Sequence, residues 1–246
     1  MATGTALILP SKGQINRCGE YLADAQRQGY PAAWFDSDQF LEAHSVISNF
    51  RAAHQRPLSS VTVGLRQIVR SETQETPLVS QRLKRVPRII RKLARMEKTN
   101  LARLEDIGGC RAVLDDAETL ARVWAHVEKT WGQTIVRRRD YVQTPNAMGY
   151  RAIHLTVQRG GRRIEVQLRT KGQQSWANAI ESADSSHNLT LKDGSGPESM
   201  LKYFSTAGEV IYHQEYGIAL PDVLRSQLNE TTNQVITEGY YSRRRA

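Results

Sequence analysis

RAIHLTVQRGGRRIEVQLR, residues 151–169, reads as two strands joined by a tight turn. Ile153, Leu155 and Val157 recur at every second position before Gly160-Gly161, and Ile164, Val166 and Leu168 do so after it. This alternation about a Gly-Gly dipeptide specifies a β-hairpin: each strand buries one face, and glycine accepts the backbone sign that a two-residue turn needs. The opposite faces carry His154 and Thr156 on the first strand, and Arg163, Glu165, Gln167 and Arg169 on the second. One apolar and one polar, chemically equipped sheet face follow.

Working back from the hairpin, residues 141–150 hold Pro145, Asn146 and Gly149 and read as a loop, preceded by an apolar-then-basic run from Thr134 to Arg139. Asp115 followed by Glu118 resembles a capping box, opening a helix whose Leu120, Val123, Trp124 and Val127 recur at helical spacing. Ile107 to Leu114 is short and strand-like, interrupted by Gly108-Gly109. Before it, Pro87 suits a first helical turn, with Ile89, Ile90, Leu93 and Met96 as the apolar stripe. The first eighty residues read as broken helix: one helix from Phe40 to His54 ended by Pro57, another from Val61 to Val69, then a polar linker from Ser71 to Pro77.

Beyond the hairpin, helices are expected from about Lys171 to Ala183, from Pro197 to about Tyr216, and after Pro221, with Arg243-Arg244-Arg245 as an exposed basic tail. The sum is an α+β fold, a small mixed sheet of about five strands flanked by helices. The expected division is a helical extension over 1–80, a core over 81–185 and a second helical extension over 186–246.

The chain has 246 residues, 39% hydrophobic and 24% charged, a balance that excludes a disordered or fibrous protein. No apolar run approaches the roughly 20 residues of a membrane span and the start lacks the pattern of a signal peptide, so a cytoplasmic location without membrane partners is expected. Cys18 and Cys110 lack metal-type spacing. The net charge of +9 raises the expectation of an anionic partner: nucleotide, nucleic acid or membrane surface.

Where that charge sits narrows the choice. Arg82, Lys84, Arg85, Arg88, Arg91, Lys92, Arg95 and Lys98 are opposed only by Glu97, and on a helix Lys84, Arg88, Arg91 and Arg95 fall roughly on one face. Arg137-Arg138-Arg139 repeats the theme. Asp106 fits either a turn residue or a metal ligand, and Glu165 either a salt bridge with Arg163 or Arg169 or a catalytic carboxylate. Together, two carboxylates among many cations suit a Mg²⁺ site that handles phosphates. Tyr150 suits stacking on a base or burial in a core. With no GxxxxGK[ST] and no GxGxxG in the chain, a nucleotide must be held by side chains.

RLKRVPRIIRKL (82–93), EDIGGCRAVL (105–114), RRRDYVQTPNAMGYRAIH (137–154) and IEVQLRT (164–170) stand in the order and spacing of the RelA/SpoT-type synthetase domain, which the chain resembles from about Arg82 to Glu181. The resemblance implies a nucleotidyltransferase-like fold and transfer of the β,γ-diphosphate of ATP to a ribose 3′-hydroxyl. It assigns ATP binding to Arg82, Lys84, Lys92 and Arg111, with Arg82 and Arg111 sandwiching adenine. It assigns Mg²⁺ to Asp106 and Glu165, with Glu165 helping to deprotonate the acceptor hydroxyl. Tyr150 would stack on the acceptor base beside His154 and Gln167, although His154 also fits a purely structural role. Asp106 and Arg111 are five apart, on opposite faces of a regular strand, so a bulge at Gly108-Gly109 is expected to bring them together.

The acceptor separates the branches of this family. Gln173, Trp176, Ala177 and Glu181 resemble the Q-x-x-W-A-x-x-x-E pattern of the toxic small synthetases of toxin-antitoxin pairs, whose acceptor is the 3′-CCA end of tRNA. Arg88, Arg91, Arg137, Arg138 and Arg139 would then meet tRNA phosphates, and a cognate antitoxin is implied. The alternatives are an alarmone synthetase acting on GDP, GTP or an adenine nucleotide, and an inactive nucleotide- or RNA-binding regulator.

Overall fold

The computed structural model describes residues 10–30, 37–73, 75–96 and 98–241. The chain runs α1 (Lys12–Arg27), α2 (Asp38–Ala52), α3 (Gln55–Thr73), β1 (Val79–Leu83), α4 (Val86–Arg95), β2 (Gly108–Leu114), α5 (Ala117–Trp131) and β3 (Ile135–Asp140), then β4 (Ile153–Arg159), β5 (Arg162–Thr170), α6 (Lys171–His187), α7 (Glu198–Glu215) and α8 (Asp222–Thr237). The five strands form one sheet in the order β1-β2-β5-β4-β3. Only the β2–β5 pair is parallel, so the sheet is mixed, as expected.

The hairpin forms as the alternation requires. Arg159 pairs with Arg162 across Gly160 and Gly161, whose φ values of 53° and 71° are those of a two-residue primed turn. Ile153, Leu155, Val157, Ile164, Val166 and Leu168 are at most 1% exposed and pack under α3 and α5. At about 25 cal/mol per Å² of apolar surface removed from water, this layer is the main source of stability.

Two other clusters flank the sheet's polar face. On one side, α1 and α2 pack around Ile89, Ile90 and Leu93 of α4. On the other, Trp176 and Ile180 of α6 pack with Met200 and Phe204 of α7 and Val235 of α8. The polar face lies between these two layers, which is what makes it a cleft.

Several local expectations need correction. Pro57 starts a helix instead of ending one: it lies in the first turn of α3, where no intrahelical N–H bond is lost, while α2 has already stopped at Ala52. The helix expected over Val61–Val69 is therefore 19 residues long and absorbs Ser71 to Thr73 of the supposed linker. Asp116, not Asp115, caps α5, accepting a hydrogen bond from Thr119 N at 2.7 Å. Met96 is 41% exposed and lies past the end of α4. The triple arginine at 243–245 lies outside the described residues.

Candidate active site

The sheet register decides which side chains meet. Gly109 on β2 lies opposite Arg82 on β1 and Glu165 on β5, and Arg111 lies opposite Ser80 and Gln167. On β4, His154 faces Gln167 and Thr156 faces Glu165. Arg82, Arg111, His154, Glu165, Gln167 and Arg169 therefore share the polar face. On β3, Arg137 and Arg139 oppose Thr156 and His154 and join that face, whereas Arg138 points to the other side. There Arg138 makes hydrogen bonds of 2.7 to 3.0 Å to both carboxylate oxygens of Glu128. The structure thus splits the arginine triplet that the sequence presents as one basic run.

The expected bulge at Gly108-Gly109 is absent. β2 keeps an unbroken register with both neighbours, and Asp106 lies before the strand, where the chain has not yet adopted strand alternation. Asp106 Oδ2 accepts from Lys84 Nζ at 2.5 Å and Lys92 Nζ at 2.7 Å. Lys84 is therefore off the α4 face on which helical spacing would place it: it precedes the helix, its carbonyl bonded by Arg51 Nε at 2.8 Å. Burial pushes the Asp106 carboxyl up, but the ammonium groups of Lys92 and Lys84 outweigh it and hold the pKa below the usual aspartate value. For Lys84 the balance runs the other way: burial outweighs the pull of Asp106 and lowers its pKa.

Glu165 is held from both sides. Its Oε1 lies 3.1 Å from His154 Nδ1, and its Oε2 accepts from Gln167 Nε2 at 2.8 Å. Burial pushes its pKa up; the hydrogen bond and charge interaction with His154 prevail and set it below the ordinary glutamate value, although Asp106 pushes upward. The two carboxylates are thus close enough to feel each other. Asp106 Oδ1 is buried and has no hydrogen-bond partner among the described residues. An orphaned carboxylate oxygen with a second carboxylate near enough to act on its charge fits a Mg²⁺ ion, which takes one or two protein carboxylates and fills the rest of its shell with water and phosphate oxygens. No cluster of three or more His, Cys, Asp or Glu side chains that could hold a metal ion exists among the described residues.

The cations beside this pair have no direct ion-pair partner, although the charge of Glu181 acts on Arg111 and Arg169 from farther off. Among the described residues, no carboxylate lies within ion-pair distance of Arg82, Arg111 or Arg169. Arg111 donates instead to Gln167 Oε1 at 3.0 Å and Gln174 Oε1 at 3.2 Å, and Arg169 to Gln174 Oε1 at 3.0 Å. Burial, then the charge of Arg169, press the Arg111 pKa down. Two adjoining cavities open here. One, of about 130 Å³, is lined by Arg82, Gly109, Arg111 and Glu165; the other, of about 260 Å³, by Arg82, Arg111, Tyr150, Trp176, Glu181 and Lys192. Such an arrangement stabilises a polyanion by fixed donors, with no covalent nucleophile required.

Tyr150 stands at the wall of the larger cavity, and Asn146 shapes its approach by accepting from Met148 N and Tyr150 N at 3.0 Å each. The Tyr150 hydroxyl lies 2.6 Å from His154 Nε2 and accepts from Arg169 Nη2 at 2.6 Å. Burial raises its pKa, with Arg169 opposing. Both ring nitrogens of His154 are consequently engaged by the protein. Arg88 and Arg91 are exposed on α4, away from these contacts.

The pattern over Gln173 to Glu181 divides into scaffold and site. Gln173 completes the capping box of α6 with Thr170, and the Trp176 indole donates to Phe204 O at 2.8 Å. Trp176 also lines the larger cavity, and Glu181 lines both cavities, paired with Lys192 of the 3₁₀ turn Leu191–Asp193. Sequence reasoning missed Gln174 and Lys192. Gln174 is signalled only by its place in the first turn of α6, and no local pattern signals the return of Lys192 to Glu181.

Among the described residues, no helix is long and apolar enough to cross a membrane. The fold is that of the small alarmone synthetases. Small alarmone synthetase 1 from Bacillus subtilis, bound to its product pppGpp, superimposes with a TM-score of 0.57 at 20% identity, covering 74% of this chain and 97% of that one. A GTP pyrophosphokinase family protein from Streptococcus pneumoniae gives 0.55 at 23% identity, over 74% and 96% of the two chains. Residues 81–187 match the family model described as the region found in RelA / SpoT proteins. The GTP pyrophosphokinase rsh of Brucella melitensis is 36% identical over 80 residues, 31% of this chain and 11% of that protein. The probable GTP diphosphokinase RSH3 of Arabidopsis thaliana is 29% identical over 115 residues, 46% of this chain and 16% of the relative. The chain thus matches only a small part of the length of these relatives.

Proposed function

We propose that the protein is an ATP-dependent pyrophosphokinase that moves the β,γ-diphosphate of ATP to the 3′-hydroxyl of the tRNA CCA end, as the toxin of a toxin-antitoxin pair. The observation that carries the transfer chemistry is the set of unpaired arginines, Arg82, Arg111 and Arg169, beside two carboxylates held ionised. Phosphoryl-type transfer needs positioning and charge stabilisation, and this face supplies both.

In this reading Arg82 and Arg111 grip adenine between them, and Lys84 and Lys92 turn from Asp106 toward the donor phosphates. Asp106 and Glu165 would hold Mg²⁺, which neutralises phosphate charge when bound. Glu165 accepts the proton of the attacking hydroxyl, since an ionised carboxylate fixed by His154 and Gln167 is both available and aimed. Tyr150 stacks on the acceptor base. Arg88, Arg91, Arg137 and Arg139 would meet tRNA phosphates, the last two shared with Glu105, whereas Arg138 is bonded to both carboxylate oxygens of Glu128 on the other face. Blocking the terminal hydroxyl stops aminoacylation, and a partner antitoxin would restrain the enzyme.

A second reading, alarmone synthesis on GDP or GTP, is favoured by the cavity of about 260 Å³ beside Tyr150, which suits a mononucleotide, and by the alarmone-bound structural relative. Purified protein with Mg²⁺ and γ-labelled ATP, offered deacylated tRNA, GDP, GTP, ADP and ATP separately, tests the two. Label on tRNA that vanishes when the terminal adenosine is removed supports the toxin; label only on a mononucleotide overturns it in favour of the synthetase.

A further inference from the structure

At the hairpin end of the polar face, one carboxylate is shared by three guanidinium groups. Glu105, whose side chain is 14% exposed, lies 3.2 Å from Arg137 Nη1, 3.4 Å from Arg139 Nη2 and 3.6 Å from Arg163 Nη1. Three positive charges against one leave a surplus of two. Adjoining it is a separate cavity of about 550 Å³, whose lining includes Lys12 of α1, Arg103, Arg162 and Arg163 and no acidic residue. Ile15, Phe50 and Leu104 give it an apolar wall, and the Arg162 guanidinium stands 5.4 Å from the Phe50 ring centroid. His54, at the back, adds no charge at neutral pH, because burial pushes its pKa down to about 4. Among the described residues, no carboxylate lies within ion-pair distance of Lys12, Arg103 or Arg162.

We propose that this cationic track, Lys12, Arg103, Arg162 and Arg163 continued by Arg137 and Arg139, holds the sugar–phosphate backbone of an RNA whose 3′ end is the acceptor. The inference rests on the tRNA reading and names the surface that distinguishes tRNA from a nucleotide. Its start is fixed by register: Arg163 is two residues before Glu165 on the same strand face, about 7 Å along β5, and Arg137 faces Thr156, which faces Glu165. From there the charge leads away from Tyr150, across the strand ends to α1. A mononucleotide at Tyr150 has no atoms there, and a single small anion would meet only part of so extended a track. A polymer threaded from Glu165 toward α1 meets successive cations, each replacing a condensed counterion.

The test is the triple variant R103Q/R162Q/R163Q, whose thermal midpoint is compared with the wild type, with R103Q alone as the least disruptive change. Binding of deacylated tRNA is followed against salt without ATP, and transfer to tRNA and to a CCA trinucleotide is followed with labelled ATP. Expected are affinity for tRNA at least 10-fold weaker near 0.1 M salt and a log–log salt slope shallower by about two, with the tRNA KM raised in proportion. Transfer to the trinucleotide falls by a smaller factor than transfer to tRNA, because so short a chain meets only Arg163 at the start of the track. Unchanged tRNA affinity and slope in a folded triple variant overturn the track. Wild-type transfer to a mononucleotide and not to tRNA overturns the toxin reading instead, while the binding slope still judges the track.

Discussion

Glu165 and Asp106 share a strongly cationic face, yet they are held by different means, and their substitutions should differ accordingly. Glu165 takes hydrogen bonds from His154 and Gln167, so Glu165→Gln keeps the shape and removes the charge proposed to serve as base and as metal ligand. We expect E165Q to lower transfer by about 10²- to 10⁴-fold with tRNA or nucleotide binding retained, measured by labelled transfer beside direct binding; unchanged transfer would sink the role. Asp106→Asn leaves the ammonium groups of Lys84 and Lys92 2.5 and 2.7 Å from a neutral amide. That variant should lose activity and also about 2 kcal/mol of stability, read from urea unfolding. Both carboxylates have folded pKa values below their ordinary ones, so the stability they confer is present above the unfolded carboxylate pKa and is lost as pH falls through the folded value. The acid limb of the rate should therefore lie below the ordinary glutamate value of 4.5, and a limb centred near pH 7 would exclude Glu165 as an ionised base.

At the scale of elements, what can be read from the chain depends on whether each element's pattern is local. The β4–β5 hairpin is legible because six inward residues alternate about a Gly-Gly turn, and α5 because its apolar residues repeat at helical spacing. Edge strand β1 is not, since of Val79–Leu83 only Val79 is buried. Its one basic residue, Arg82, reads in the sequence as part of the basic run of α4, although it is placed by pairing with Gly109. Asp106 is legible as a candidate site residue but its route is not, because the chain reaches the cleft ahead of the strand and needs no bulge. Least legible is α7, which buttresses the Tyr150 side of the cleft from a distance: Glu209 pairs with Arg151, and Glu215 Oε1 accepts from Gly172 N at 2.8 Å. A Cβ on Gly208 would come within 2.6 Å of Gly149 O, so only glycine lets α7 approach the loop that carries Tyr150. Gly208→Ala should cost roughly 1–3 kcal/mol and displace that loop. The acceptor KM is then expected to rise several-fold while ATP binding, measured by titration, stays within a factor of two; equal loss for both substrates would deny α7 this selective role.

For the molecule as a whole, the cleft lies between two cores that have no residue in common. Leu22 of α1 is fully buried and belongs to the layer that seats α4, whose Lys92 reaches Asp106 on the donor side. Phe204 of α7 is 1% exposed in the layer that supports Trp176 and, through it, Tyr150 on the acceptor side. Truncating either side chain leaves a cavity that its surroundings fill only in part, at about 2–5 kcal/mol for Leu22→Ala and 3–5 kcal/mol for Phe204→Ala. Packed interiors pass such shifts to the nearest rigid neighbour, so each loss should be felt on its own side of the cleft. The expected pattern in steady-state transfer is crossed: L22A raises the ATP KM more than the acceptor KM, and F204A does the reverse. Because the substitutions lie far apart with no shared partners, their stability losses in denaturant should add to within about 0.5 kcal/mol in the double variant. Strong coupling between them, or parallel rises in both KM values from either variant, would mean that the two layers move as one body and that the sheet's polar face is not an independent floor between them.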